Sequence, residues 1–177
     1  SRVETMVKDI RRLLEEVKER VERALRDNER VLEDIRRRVD ELLKTNEKIN
    51  RDIERRVRRG LDRDEIRKLL KESEDSVRRA LRDVEELLRK SRETVERVKR
   101  LIERLLEEVK RIVETVARES DVEEIKEVLR RVEEEAERLK REIEESLKRS
   151  EDLVRKLKER IKRSLEESRK RIKKLED

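Results

Sequence analysis

Apolar residues recur along the start of the chain in steps of three and four. Val3, Met6, Val7, Ile10, Leu13, Leu14 and Val17 lie on one face of a helix of 3.6 residues per turn. The same spacing continues through three long stretches, residues 2–59, 63–118 and 121–175, and predicts three amphipathic helices. The joints between them are short and carry helix start and stop signals. Gly60 follows the Arg-rich turn Val57-Arg58-Arg59, where a helix ends on a left-handed residue. Ser1 with Glu4, Asp62 with Glu65, and Ser120 at the head of SDVEE each read as a cap and its partner.

Three segments of nearly equal length with joints of a few residues must fold back on one another, up, down and up. At a rise of 1.5 Å per residue each helix would be roughly 85 Å long, so a single elongated bundle over residues 1–177 is expected. The best repeat is eighteen residues: Val3, Val21, Val39 and Val57 share one slot, and Val7, Leu25, Leu43 and Leu61 another. In the second stretch Leu69, Leu87 and Leu105 repeat in the same way, and in the third Ile125, Ile143 and Ile161. Eighteen residues in five turns is the straight-helix value, whereas a heptad would impose left-handed supercoil; the expected all-α, antiparallel three-helix bundle is therefore nearly untwisted. The apolar arc, about 120° on the first two helices and slightly less on the third, suits packing against two neighbours.

Polar residues interrupt this arc at chosen heights. Every Asn of the chain lies inside it, and the only Ser residues outside are the caps Ser1 and Ser120. Folding the first helix onto the second pairs residue numbers that add to about 121, and folding the second onto the third gives about 241. One expected layer joins Asn28 with Ser91, Thr94, Ser146 and Ser150; the other joins Asn46 and Asn50 with Ser73, Ser76, Ser164 and Ser168. Scattered singly, each such group would cost on the order of 1–3 kcal/mol. Gathered into layers they can satisfy one another, and a helix slipped by one turn would bury Asn against Leu.

Composition narrows the function classes. The chain is 59% charged, 32% hydrophobic and 0% aromatic, with one Gly and no Pro, Cys or His. Such a charge content suits disorder as well as long helices, but disorder carries no apolar period. Without His or Cys the Ser residues of the arc have no base to activate them, so no catalytic residue is assigned. No metal or cofactor site is expected either: Glu135 is the nearest thing to an inward carboxylate, and the Glu-x-x-His pattern of bundle metal sites is absent. No apolar run reaches the ~20 residues of a membrane span. The chain starts at Ser1 without an initiator Met, and removal of a leader or tag is expected.

The net charge of +6 and pI of 9.6 raise anionic partners. Because 55 basic residues alternate with 49 acidic ones, the simplest reading is a solvated surface of mixed charge. The basic stretch 155–174 is the best anion-binding candidate. Cations there also complement helix C-termini, however, and the chain has no aromatic side chains to stack on bases. Neither a nucleic-acid partner nor a membrane is expected.

Eighteen-residue repetition, Arg/Glu/Lys surfaces, capping boxes, and segments such as KRSLEESRKRIKK and KESEDSVRRALRD resemble de novo designed helical bundles with buried hydrogen-bond networks. They are similar in style to designed hairpins, heterodimers and cage-and-latch switches, although no latch segment or flexible linker is evident. The resemblance implies a structural scaffold with no natural activity, no cofactor and no required partner. The alternative is an incomplete bundle that self-associates or accepts a further helix. Exposure of Leu13, Leu70, Leu88, Leu106 and Leu153 at the arc edges would distinguish the two.

Overall fold

A computed structural model of the chain describes residues 2–60, 62–116 and 122–176. These form three α-helices packed into a three-helix bundle: α1 Arg2–Arg58, α2 Arg63–Val116 and α3 Val122–Glu176. The expected caps at Ser1 and Ser120, the core slot at Leu61, the last two residues assigned to the second helix and the start of the third at Asp121 lie outside the described residues.

The local chemistry accounts for the length of the helices. Their interiors hold neither Pro nor Gly, and Arg, Glu, Lys and Leu are all good helix formers. Exposed pairs one turn apart, such as Arg12–Asp9 at 3.0 Å and Arg36–Glu33 at 3.1 Å, add a few tenths of a kcal/mol each. First turns carry acids, Glu4 in α1, Asp64 and Glu65 in α2, and Glu123 and Glu124 in α3. The last turns of α1 and α3 carry Arg55, Arg56 and Arg58, and Lys173 and Lys174, in keeping with the helix dipole.

At the end of α1 the amides of Arg59 and Gly60 donate to Arg56 and Val57 carbonyls, each at 3.1 Å, tightening the last turn. Helix α1 therefore stops at Arg58, one residue earlier than the sequence pattern suggests, because Arg59 already belongs to this turn. Gly60 follows at φ 81°, and a β-carbon there would meet nothing within 4 Å. Backbone conformation, not space, is what requires glycine. Ile66 N–H then donates to the Asp62 carbonyl at 3.3 Å, which makes Asp62 the N-cap of α2.

The helices divide into two compact units, one of Ser1–Glu29 with Ser91–Arg149 and one of Arg30–Lys90 with Ser150–Asp177. The first unit is built on Val21, Ile102, Leu139 and Ile143, each 1% exposed or less, with Met6 and Ile10 toward its start. The second is built on Val39, Ala80, Val84, Leu157 and Ile161. On the scale of about 1.5–3 kcal/mol per fully buried aliphatic side chain, these stripes supply the drive to fold.

Cross-helix contacts fix the direction of each helix. Hydrogen bonds from α1 to α3 span a constant separation of 118 residues, which makes these helices parallel. Bonded α1–α2 pairs, 28 with 91 and 46 with 73, have numbers adding to 119, so α2 is antiparallel to α1. Ion pairs of α2 with α3, 99 with 144 and 85 with 158, add to 243. Side chains reach a residue or two along a helix, and these contacts bracket the expected sums of 121 and 241.

Candidate functional site: two buried polar layers

In the first unit Asn28 bridges both neighbouring helices through one carboxamide. Its Nδ2 donates to Ser146 Oγ of α3 at 2.7 Å, and its Oδ1 accepts from Ser91 Oγ of α2 at 2.8 Å. A carboxamide has donors at one end and an acceptor at the other, so a single residue satisfies hydroxyls on two helices. Ser91 and Ser146 are buried, whereas Asn28 is half-buried. Thr94 is also half-buried, and its hydroxyl accepts from Arg97 of its own helix at 3.2 Å. Ser150 is fully buried and belongs to the second unit.

The second unit repeats this arrangement eighteen residues along: Asn46, Ser73 and Ser164 take the places of Asn28, Ser91 and Ser146. Asn46 Oδ1 accepts from Ser73 Oγ, while its Nδ2 donates to Ser164 Oγ at 3.0 Å and Ser168 Oγ at 3.2 Å. Here a second amide joins, Asn50 Nδ2 donating to Ser168 Oγ at 2.6 Å. Ser168 in turn donates to the Ser164 carbonyl at 2.9 Å, so its hydroxyl uses its one donor and both lone pairs. Asn46, Asn50, Ser73 and Ser168 are all buried, Ser164 half-buried. Ser76 is half-buried and lies outside this set of hydrogen bonds.

One acceptor in the second layer is left over. Asn50 Oδ1 is buried without a hydrogen-bond partner. The α1–α2 register explains this, because the α2 residue level with Asn50 is Leu69, which has no donor to offer. Such an orphan acceptor costs about 1–3 kcal/mol and makes this the most strained part of the network.

Beside the second layer an ionic clamp ties α1 to α3. Arg171, 26% exposed, donates to both carboxylate oxygens of Glu47 at 2.8 and 2.9 Å and also to Glu54. Nothing in the apolar pattern singles these three residues out; only the separation of about 118 residues between α1 and α3 brings them together. Arg160–Asp40 at 2.6 Å in the same unit and Arg149–Glu29 at 2.9 Å in the first also join α1 to α3, on more exposed side chains.

The hydrogen bond from Arg171 holds the Glu54 carboxyl below its ordinary value of 4.5, against a smaller opposing effect of desolvation. The folded value is depressed, so the clamp's contribution is fully present above about pH 4.5 and fades as pH falls through the folded value. Arg171→Gln is expected to lose at most about 1 kcal/mol at pH 7. Its deficit should shrink toward zero as pH falls well below 4.5. Urea unfolding followed by circular dichroism between these conditions checks this, and a deficit independent of pH would show that the carboxylates contribute nothing.

Glu135, the carboxylate nearest the arc, is half-buried and taken up by Arg138 at 2.8 Å. Among the described residues no group of three or more acidic, His or Cys side chains is placed to hold a metal ion, and no helix is long and apolar enough to cross a membrane.

No protein-family model and no curated protein matches the chain. Among solved structures it is similar to a chain described as a "Computationally designed three helix bundle". The two share 20% identity over 98% of this chain and 88% of the other, with a TM-score of 0.44.

Proposed function

We propose that this chain is a designed structural scaffold without a natural biochemical activity, and that its two polar layers specify which helices pair and in what register. The observation that carries this reading is the bonding of Asn46. One side chain uses its acceptor on α2 and its donors on α3, so that a single amide ties all three helices. A shift of α3 by one turn would set Asn46 against Arg160 in one direction and Asn50 against Ile172 in the other. Buried amides facing apolar neighbours cost more than the slip could recover.

The alternative, a module that self-associates or takes up another helix, needs an uncovered apolar stripe. Leu13, Leu70, Leu88 and Leu106 are half-buried and Leu153 is buried. Val31, at 41%, is the one exposed large hydrophobic residue among those described. This supports the self-contained scaffold.

The test replaces the second layer with apolar residues: Asn46→Leu, Asn50→Leu, Ser73→Ala, Ser164→Ala and Ser168→Ala. Thermodynamic stability should hold or rise, since a polar network exchanged for packing is often neutral or favourable. Uniqueness should fall: light scattering coupled to size exclusion should show mixed masses, and hydrogen exchange should become heterogeneous in the second unit. A variant with a single mass and the parent's exchange pattern would show that the layer does not set register.

A further inference from the structure

The positive charge of this protein has an address. In the second unit the established registers place residues 51–60 of α1 and its turn level with the start of α2 and with the last turns of α3. Residues 51–68 and 169–177 together hold 13 Arg and Lys against 7 Asp and Glu, an excess of six. That equals the chain's whole net charge of +6; the remaining residues carry 42 basic and 42 acidic side chains and cancel.

Helix dipoles do not account for this excess. Two C-termini and one N-terminus meet at this end, which amounts to roughly half a negative charge. Six positive charges exceed that by about an order of magnitude. Internal pairing does not absorb them either. Arg56 is paired with Asp52, Arg51 with Glu47, and Arg171 with Glu47 and Glu54, while Arg58 acts on Glu54 at longer range. Arg55 and Arg58 of α1, Arg67 and Lys68 of α2, and Lys173 and Lys174 of α3 are exposed, and among the described residues none has a carboxylate within ion-pair distance.

We infer that this end of the second unit binds the phosphate backbone of duplex nucleic acid without regard to sequence. Guanidinium groups dominate the patch, and their fork matches phosphate oxygens two at a time. The chain has no aromatic residue, so it offers no platform for unstacked bases; that favours a duplex, read only through its phosphates, over a single strand. Among the described residues Val31 is the exposed large hydrophobic, and it lies outside the patch, so none of them offers an apolar side chain there for insertion among lipid tails. Composition argues against base recognition, and phosphate contact asks for none.

Fluorescence anisotropy of a labelled duplex of about 20 base pairs, titrated with the full chain at salt from about 50 to about 200 mM, tests this. The expected dissociation constant at the upper end is about 10⁻⁴–10⁻⁶ M, and the logarithm of affinity should fall linearly with the logarithm of salt. The variant Arg55→Gln, Arg67→Gln, Lys170→Gln, Lys173→Gln should flatten that slope by about 2–4, at roughly 0.9 per phosphate contact. A control in the neutral remainder, Arg11→Gln, Arg20→Gln, Arg23→Gln, Arg37→Gln, should leave it within about one contact of the parent. All eight positions are exposed, and helical circular dichroism should be unchanged in both variants. The inference is overturned if the duplex is not bound at the lowest salt, or if both variants flatten the slope equally. It also fails if a single strand binds more tightly, or if phosphatidylserine vesicles are bound at lower concentration than the duplex.

Discussion

Asn46→Ala is expected to cost about 2–4 kcal/mol, far more than an average polar-to-alanine change. Asn46 is 1% exposed and makes three hydrogen bonds, to Ser73, Ser164 and Ser168. Removing it strands the Ser73 hydroxyl in a buried place, takes a donor from Ser164, and leaves a cavity where the amide stood. Ser168 suffers less, because it still accepts from Asn50 and donates to the Ser164 carbonyl. Against these losses alanine gains about half a kcal/mol in helix propensity. Asn28→Ala offers the comparison, with hydrogen bonds to Ser91 and Ser146 on a half-buried side chain; it should cost about 1–2 kcal/mol. Urea unfolding followed by circular dichroism measures both, since the chain lacks Trp and Tyr. If Asn46→Ala came within 1 kcal/mol of the parent, the network would contribute little to the folded state.

Leu139→Ala should cost about 2–5 kcal/mol, the range for a truncated core leucine whose cavity cannot collapse. Leu139 is 0% exposed and belongs to the core of the first unit, among Val132, Ala136 and Ile143 on its own helix. Neighbours on long, regular helices have little freedom to move inward, which puts the expectation in the upper half of the range. Leu157→Ala is the counterpart in the second unit, at 1% exposure, and Val31→Ala, at an exposed position, should stay within about 0.5 kcal/mol. Hydrogen exchange on Leu139→Ala adds a spatial readout. Amides of residues 2–29 and 91–116 should lose protection before those of residues 30–58, as expected where stability is local to a compact unit. Equal loss throughout would show that the helices unfold as one.

The three helices and most of their bounds were legible in the sequence because they rest on local rules. An apolar residue every three or four positions, good helix formers between, and Gly60 at the one joint that needs a positive φ leave little else for the chain to do. Location of the polar residues was legible for the same reason: Asn28, Asn46 and Asn50 stand out against a stripe of Leu, Ile and Val.

The individual hydrogen bonds were not. Periodicity places Ser73, Ser76, Ser91 and Thr94 on the same arc, but depth within the arc depends on where the neighbouring backbones run. Tertiary packing put Ser73 and Ser91 against the Asn amides, left Ser76 half-buried, and turned the Thr94 hydroxyl toward Arg97. The register that the helices take set Leu69, a residue with no donor, level with Asn50 and left its Oδ1 without a partner. It also set Arg171 between Glu47 and Glu54, a clamp built from residues more than a hundred positions apart. The sequence by itself determined which residues form helices and which heights carry polarity, since both follow from contacts within a few residues. Only the tertiary structure decided which polar groups meet, because a hydrogen bond tolerates a few tenths of an ångström, while a pattern read along one helix fixes its neighbours no better than a residue or two.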